Sequence, residues 1–302
     1  MSTAPPESAR VPPSEAAGPR LSDDAIRAFE ADAKIALLAT LTPAGQPHVT
    51  LITSLQARTP RELIFGQFCE GLSKQHLRID PRAAVLVMTR DRRIWRAKAH
   101  WTGAMRHGED YERYNKKPMF RYNAYFGVHT VHYLDVVEVG DVEHAAALDL
   151  ALGALKARLG RALVRAGGGE RILSGWAVRH IGRPTTLAFL ARVGADGFPW
   201  IVPLVPTQPV GTRRLALWPT PRHAELADLQ PGGILACFAL NLAMESVLVR
   251  GRLSAWRRVL GTRAGVVEIE EVYNSMPPKH GRIYPPEPLQ PVRLEGDPCG
   301  SE

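Results

Sequence analysis

The sequence predicts a mainly β protein with short helices, in which one small all-β unit of about a hundred residues occurs twice in tandem, joined by a helical linker. Short β-rich segments, bounded by Gly and Pro turns, fill both halves of the chain. Those of the first half return in the same order in the second. Between the halves, Leu148, Leu152, Leu155, Leu159 and Leu163 recur at helical spacing until Gly167-Gly168-Gly169 stops the run.

The repeat rests on order. Residues 37–48 return as 187–200, each with a Gly-x-Pro turn (Gly45 and Pro47, then Gly197 and Pro199). Residues 63–68 return as 214–218, 83–89 as 234–240, and 95–102 as 247–254. The short helix before Pro81 returns before Pro231. Glu112, Tyr114, Asn115 and Pro118 return as Glu271, Tyr273, Asn274 and Pro277. No single match persuades, but a shared order does.

Taken along the chain, 1–20 is a Pro-rich tail without periodicity, read as disordered. The first unit spans 21–140. Ser22 caps a helix with Asp23 and Asp24 in its first turn, ending near Asp32. Strands are expected at 35–41, 48–54, 63–68, 83–89 and 94–102, with one helix at 73–79 ended by Asp80-Pro81. The aromatic stretch 111–134 reads either as a satellite core or as a loop covering a ligand. The linker, 141–182, is expected to lay its leucine face on a barrel, with a partner-binding helix as the alternative. The second unit spans 183–290, with a short helix at 220–229, and 291–302 is a flexible tail.

Composition excludes several classes. Lys and Arg number 38 against 30 Asp and Glu, a net +8 carried by arginines scattered along the chain. That is a solvated surface tolerant of anionic ligands. It lacks the basic face interleaved with aromatics that nucleic acid needs, so no nucleic-acid partner is expected. No apolar run approaches the roughly 18 residues of a membrane span, and Met1 to Arg20 has no signal-peptide core. A cytoplasmic protein without a membrane partner is expected. Cys69, Cys237 and Cys299 stand alone, with neither disulfide nor zinc spacing. His129 and His132, three apart, would point to opposite faces of a strand, so no metal site is expected.

Chemistry concentrates at 63–81. A strand leads through Glu70-Gly71-Leu72 into a helix opening with Ser73-Lys74. The first N–H groups of a helix lack intrahelical partners and sit at its positive end, so they favour an anion. A hydroxyl and an ammonium there suit a terminal phosphate. The plainer alternative is that Ser73 caps the helix and Lys74 is solvated. The second unit has Thr220-Pro221-Arg222-His223 at this place. The Ser-Lys pair is lost and Pro221 removes a donor, so the second site is weaker.

At 45–54, 64–89 and 94–103 (GQPHVTLITS, IFGQFCEGLSKQHLRIDPRAAVLVMT and IWRAKAHWTG) the chain resembles the FMN-binding split-barrel superfamily, of which pyridoxamine 5′-phosphate oxidase is a member. The resemblance covers about residues 21–140 well and 183–290 loosely. It implies two tandem split β-barrels forming a pseudo-dimer, with FMN between them and an FMN-dependent oxidoreductase activity on a small substrate. FAD, a deazaflavin or haem are the alternative cofactors, and non-catalytic binding is the alternative function. It further implies that His48, Thr50 and Thr53 on the second strand, Gln67 and Phe68 at the end of the third, and Ser73 and Lys74 on the helix hold the cofactor, with Arg250 or Arg252 reaching across from the second barrel. Arg121, Tyr122 and Tyr125 are the candidates for substrate contact. The oxidase's substrate-binding arginine and histidine pattern is absent. The implied partners are a small substrate or electron donor, with a further homodimer left open.

Overall fold

The structure is a computed structural model that describes residues 18–68, 71–116, 127–274 and 281–286. Its first half opens with α1 (Asp23–Glu30), where the Ala25 N–H donates to Ser22 Oγ at 3.2 Å. Then follow β1 (Lys34–Leu41), β2 (Pro47–Leu51), β3 (Gln56–Thr59), β4 (Glu62–Gln67), α2 (Leu72–Ile79), β5 (Arg82–Thr89), β6 (Arg93–Met105), α3 (Glu109–Lys116) and β7 (Thr130–Val139). The linking region holds β8 (Glu143–His144), α4 (Ala147–Gly160) with a 3-10 turn, Arg161–Leu163, and α5 (Gly175–Gly182). The second half comprises β9 (Leu187–Val193), β10 (Pro199–Val202), β11 (Thr207–Val210), β12 (Arg214–Leu217), a 3-10 turn Ala224–Leu226, β13 (Ile234–Leu240), β14 (Ser246–Val259), β15 (Thr262–Asn274) and β16 (Gly281–Tyr284).

The first sheet runs β2-β1-β5-β6-β7-β4-β3 and the second β10-β9-β13-β14-β15-β12-β11, with every neighbouring pair antiparallel. Adding eight to each strand number of one order gives the other. The molecule is a tandem pair of split β-barrels joined by a helical linker.

Strand periodicity explains how the pair closes. Alternate residues of a strand face opposite sides. On β1, Leu38 faces the core of its own barrel, with Phe65, Val85 and Trp95, while Leu37 and Ala39 face the other barrel. On β9, Leu190 faces inward, while Phe189 and Ala191 meet Leu37 and Ala39 in a shared apolar layer. Burial on both faces accounts for the apolar runs at 35–39 and 234–240. Across this layer β2 packs on β13 and β10 on β5, the reciprocal pairing of an approximate two-fold. Among the described residues no helix is long and apolar enough to cross a membrane.

Several expectations are corrected. The second strand ends at Leu51, because the Ile52 N–H turns to the Ala36 carbonyl, so Thr53 lies in an exposed turn. The short strand β3 falls between the expected second and third. Residues 112–115 are helical in α3, whereas 271–274 end β15, so this echo of four residues is not a structural one. The helix expected at 220–229 shrinks to a single 3-10 turn behind Pro221. The leucine face of α4 does not pack on a barrel. The side that does is made of Gly153, Ala157 and Gly160, and a Cβ at Gly160 would come within 2.8 Å of the Trp218 ring.

Gly251, beside a register shift between β14 and β15, has no room for a side chain: a Cβ there would overlap the Glu268 backbone carbonyl. Backbone cannot move aside as a rotamer can. Gly251→Ala should therefore destabilise the fold by about 1–3 kcal/mol in urea unfolding, whereas Gly168→Ala, with open space around it, should change it by less than about 0.5 kcal/mol.

Candidate functional site

The helix α2 begins one residue earlier than its sequence suggests. Gly71 is its N-cap, in extended conformation and without a side-chain bond, so Ser73 is not the cap. Ser73 is buried, and its Oγ lies 2.5 Å from Thr50 Oγ1 on β2. Lys74 is only 6% exposed, which overturns the solvated alternative. Its Nζ would be 3.3 Å from a Cβ on Gly71, so the ammonium folds back over the start of the helix, where the absence of a side chain at Gly71 leaves it room. Charge and helix N-terminus thus reinforce each other.

One turn along α2 the cleft meets the second barrel. His76 Nδ1 lies 3.1 Å from Thr40 Oγ1. Its ring is edge-on to His48, and His48 is edge-on to Tyr273 of β15, each with centroids 5.0 Å apart. Arg250 of β14 reaches the same place. It is 5% exposed and donates through Nη2 to Glu271 at 2.6 Å. Its Nε and Nη1 are buried without a hydrogen-bond partner among the described residues. Buried guanidinium donors are normally satisfied, so these two unmet nitrogens mark a place for an acceptor. Burial, and then the Arg250 charge, push His76 down to about 4.

The structure therefore brings Thr50 to Ser73, and His48 to His76, Thr40 and Tyr273 with the Arg250 charge beside His76, while Lys74 lies at the start of the same helix, toward His132. Arg252 is not among them. It lies beyond the register shift, exposed, and paired with Glu270 at 2.7 Å. Gln67 ends β4, with half-buried Phe68 next to it, and Gln67 Oε1 lies 2.8 Å from His132 Nε2. Trp101 Nε1 donates to His132 Nδ1 at 3.2 Å. Both ring nitrogens of His132 are thus committed. Tyr114 and Tyr133, with Ile64, Val128 and Val131, form the satellite core. Arg121, Tyr122, Tyr125 and Cys69 lie outside the described residues.

The two-fold counterpart of this cleft is built differently. Trp200 stands where the first cleft has His48, and Lys98 where it has Arg250. Lys98 is held by Glu138 and Asp196 at 2.8 and 2.7 Å, and Arg192 by Asp228. Arg96 pairs with both Glu143 and Glu225. Arg96 and Lys98 also lie over the Trp200 ring, 4.7 and 5.3 Å from its centroid. Every one of these cations has its carboxylate. In the first cleft, Glu271 is the one acid among the described residues paired with Arg250.

No protein-family model and no curated protein matches the sequence. Solved structures do. An FMN-binding protein from Syntrophomonas wolfei is 13% identical and covers 40% of this chain and 84% of its own, with a TM-score of 0.36. HupZ of Group A Streptococcus is 16% identical over 39% of this chain and 91% of its own, with a TM-score of 0.34. An F420 reductase is 16% identical over 35% and 88%, with a TM-score of 0.29. The likeness is one of fold. Each of these proteins spans less than half of the tandem chain.

His76 sets a pH dependence. The folded chain keeps it neutral down to about 4, whereas unfolding restores an ordinary value near 6.5. Between these values the unfolded chain binds the extra proton. Stability is complete above 6.5 and is lost as the pH falls toward 4, by about 1.4 kcal/mol per unit for one such group. His132, pushed down to about 3 by burial and then by the Lys74 charge, adds to the loss. Urea midpoints should fall between pH 7.5 and 5, and His76→Gln should flatten part of that fall.

Proposed function

We propose that the first cleft holds the phosphate of flavin mononucleotide, and that the chain is an FMN-dependent oxidoreductase, of the pyridoxamine 5′-phosphate oxidase type, acting on a small substrate. The observation that carries this is the buried Arg250 Nε and Nη1, without a partner among the described residues and beside His76 of α2, the helix whose first turn carries the Lys74 ammonium. A phosphate dianion suits that set. It accepts charge-assisted hydrogen bonds from Arg250 and Lys74, neutral ones from Ser73 and Thr50, and the field of the helix N-terminus. His48 and Tyr273 wall the site where the barrels meet. Gln67 and Phe68, at the end of β4, complete the proposed set.

The flavin supplies hydride or electron transfer when bound; the chain supplies binding, orientation and exclusion of water. The second cleft is not proposed as an equal site, because its cations are already neutralised and Trp200 occupies its wall. One flavin per chain is the proposed stoichiometry. A second reading, flavin binding without turnover, is favoured by one observation. His76, neutral down to about 4, is not poised for proton transfer at neutral pH.

Titration of FMN, followed by quenching of its fluorescence, tests the site. Lys74→Ala and Arg250→Met should each weaken binding about ten- to a hundredfold, the loss of one charge-assisted bond at about 1.4 kcal/mol per decade. Arg222→Ala in the second half should do much less. Unchanged affinity in both first-cleft variants, or two equal sites per chain, would refute the reading. Bleaching of the bound flavin by a reduced nicotinamide separates the oxidoreductase from the binder.

A further inference from the structure

The leucines of the linker present a second, separate surface. Leu148, Leu152, Leu155, Leu159 and Leu163 are 68%, 47%, 54%, 58% and 64% exposed. They form one line along α4 and its 3-10 turn, opposite the Gly153, Ala157 and Gly160 side that docks on the second barrel. The helix is therefore apolar on both sides, and only one side is covered by its own chain.

We infer that this stripe is the seam of a homodimer, in which α4 packs antiparallel against α4 of a second copy. Three features choose that occupant. The first is spacing. Leu148, Leu152, Leu155 and Leu159 follow the four-three-four interval of a two-helix seam, narrower than the broad face by which a helix docks on a core. The second is area. With about half or more of each leucine open, the stripe offers on the order of 500 Å² per copy, and a symmetric pair reaches the roughly 1,000 Å² of a specific interface. The third is charge. Asp149 and Lys156 flank the seam one heptad apart, both exposed and without a hydrogen bond or ion pair through their side chains among the described residues. Antiparallel pairing sets Asp149 of one copy against Lys156 of the other. Parallel pairing would instead set Lys156 against Ala151 and leave both charges unmatched. The remaining cations, Arg158 and Arg161, lie toward the C-terminal end, so acid and base sit at opposite ends of the helix and a two-fold matches them.

Sedimentation velocity and light scattering on the full chain test this. The expected species at about 50 µM is a dimer of about 66 kDa, twice the 33.2 kDa chain. Leu152→Glu with Leu155→Glu should yield the monomer with an unchanged circular dichroism spectrum. Asp149→Lys and Lys156→Asp should each weaken the dimer at least tenfold, and the two together should restore it. Restoration reports contact between copies, because residues 149 and 156 stand two turns apart on one helix. If the leucine variants fail to fold, the charge series decides alone. A monomeric wild type, including one that instead binds anionic lipid vesicles, overturns the inference. So does a dimer that survives every substitution.

Discussion

The apolar layer between the two sheets is the contact on which the rest of the structure depends. It recruits Leu37 and Val49 from one half and Phe189, Ile201 and Phe238 from the other, and it fixes how the barrels face each other. The first cleft exists only at that junction. Its helix, hydroxyls and ammonium come from the first barrel, and its guanidinium and Tyr273 from the second. Neither half carries the set alone. Each large side chain fully buried in that layer contributes roughly 1.5–3 kcal/mol, so the cleft's geometry rests on hydrophobic burial more than on its own polar contacts.

Pseudo-symmetry sets two clefts against each other within one molecule. In both, a basic residue of a long strand pairs across the ladder with a glutamate and faces the other barrel: Arg250 with Glu271, and Lys98 with Glu138. What differs is the surplus. The second cleft gives its cations Asp196, Glu143 and Glu225 in addition and fills the wall with Trp200. The first leaves guanidinium donors unmet. One scaffold therefore holds a position with unspent hydrogen-bonding capacity and a position that is electrostatically closed.

The succession of strands along the chain and its repetition were largely legible in the sequence because apolar, β-rich runs broken by Gly-x-Pro turns are local signals; the short β3 was not. Ser73 and Lys74 were legible as groups at a helix start. Their burial was not, since it depends on how α2 packs on β1 and β2. His76 was missed: a lone histidine in a short helix carries no pattern, and its neighbours His48, Thr40 and Arg250 come from distant segments. Arg252 was named, as the alternative to Arg250, only through the resemblance. It lies past the end of the interface, which only the register shift reveals. The leucine spacing marked a helix correctly but pointed to the wrong side of it as the one that docks. Small residues decided that, since Gly153 and Gly160 let α4 approach Pro206 and Trp218 more closely than any leucine could.

Covalent fusion of the two barrels has a consequence for concentration. When two separate chains must meet to complete a cleft, its population falls on dilution, and the partners must be made in step. Here α4 and α5 tether the halves, so each barrel meets the other at a fixed, high effective concentration whatever the amount of protein. Assembly becomes a first-order event. The shared layer can then tolerate weaker packing than a free dimer needs, and mutation can act on one cleft without being copied into the other.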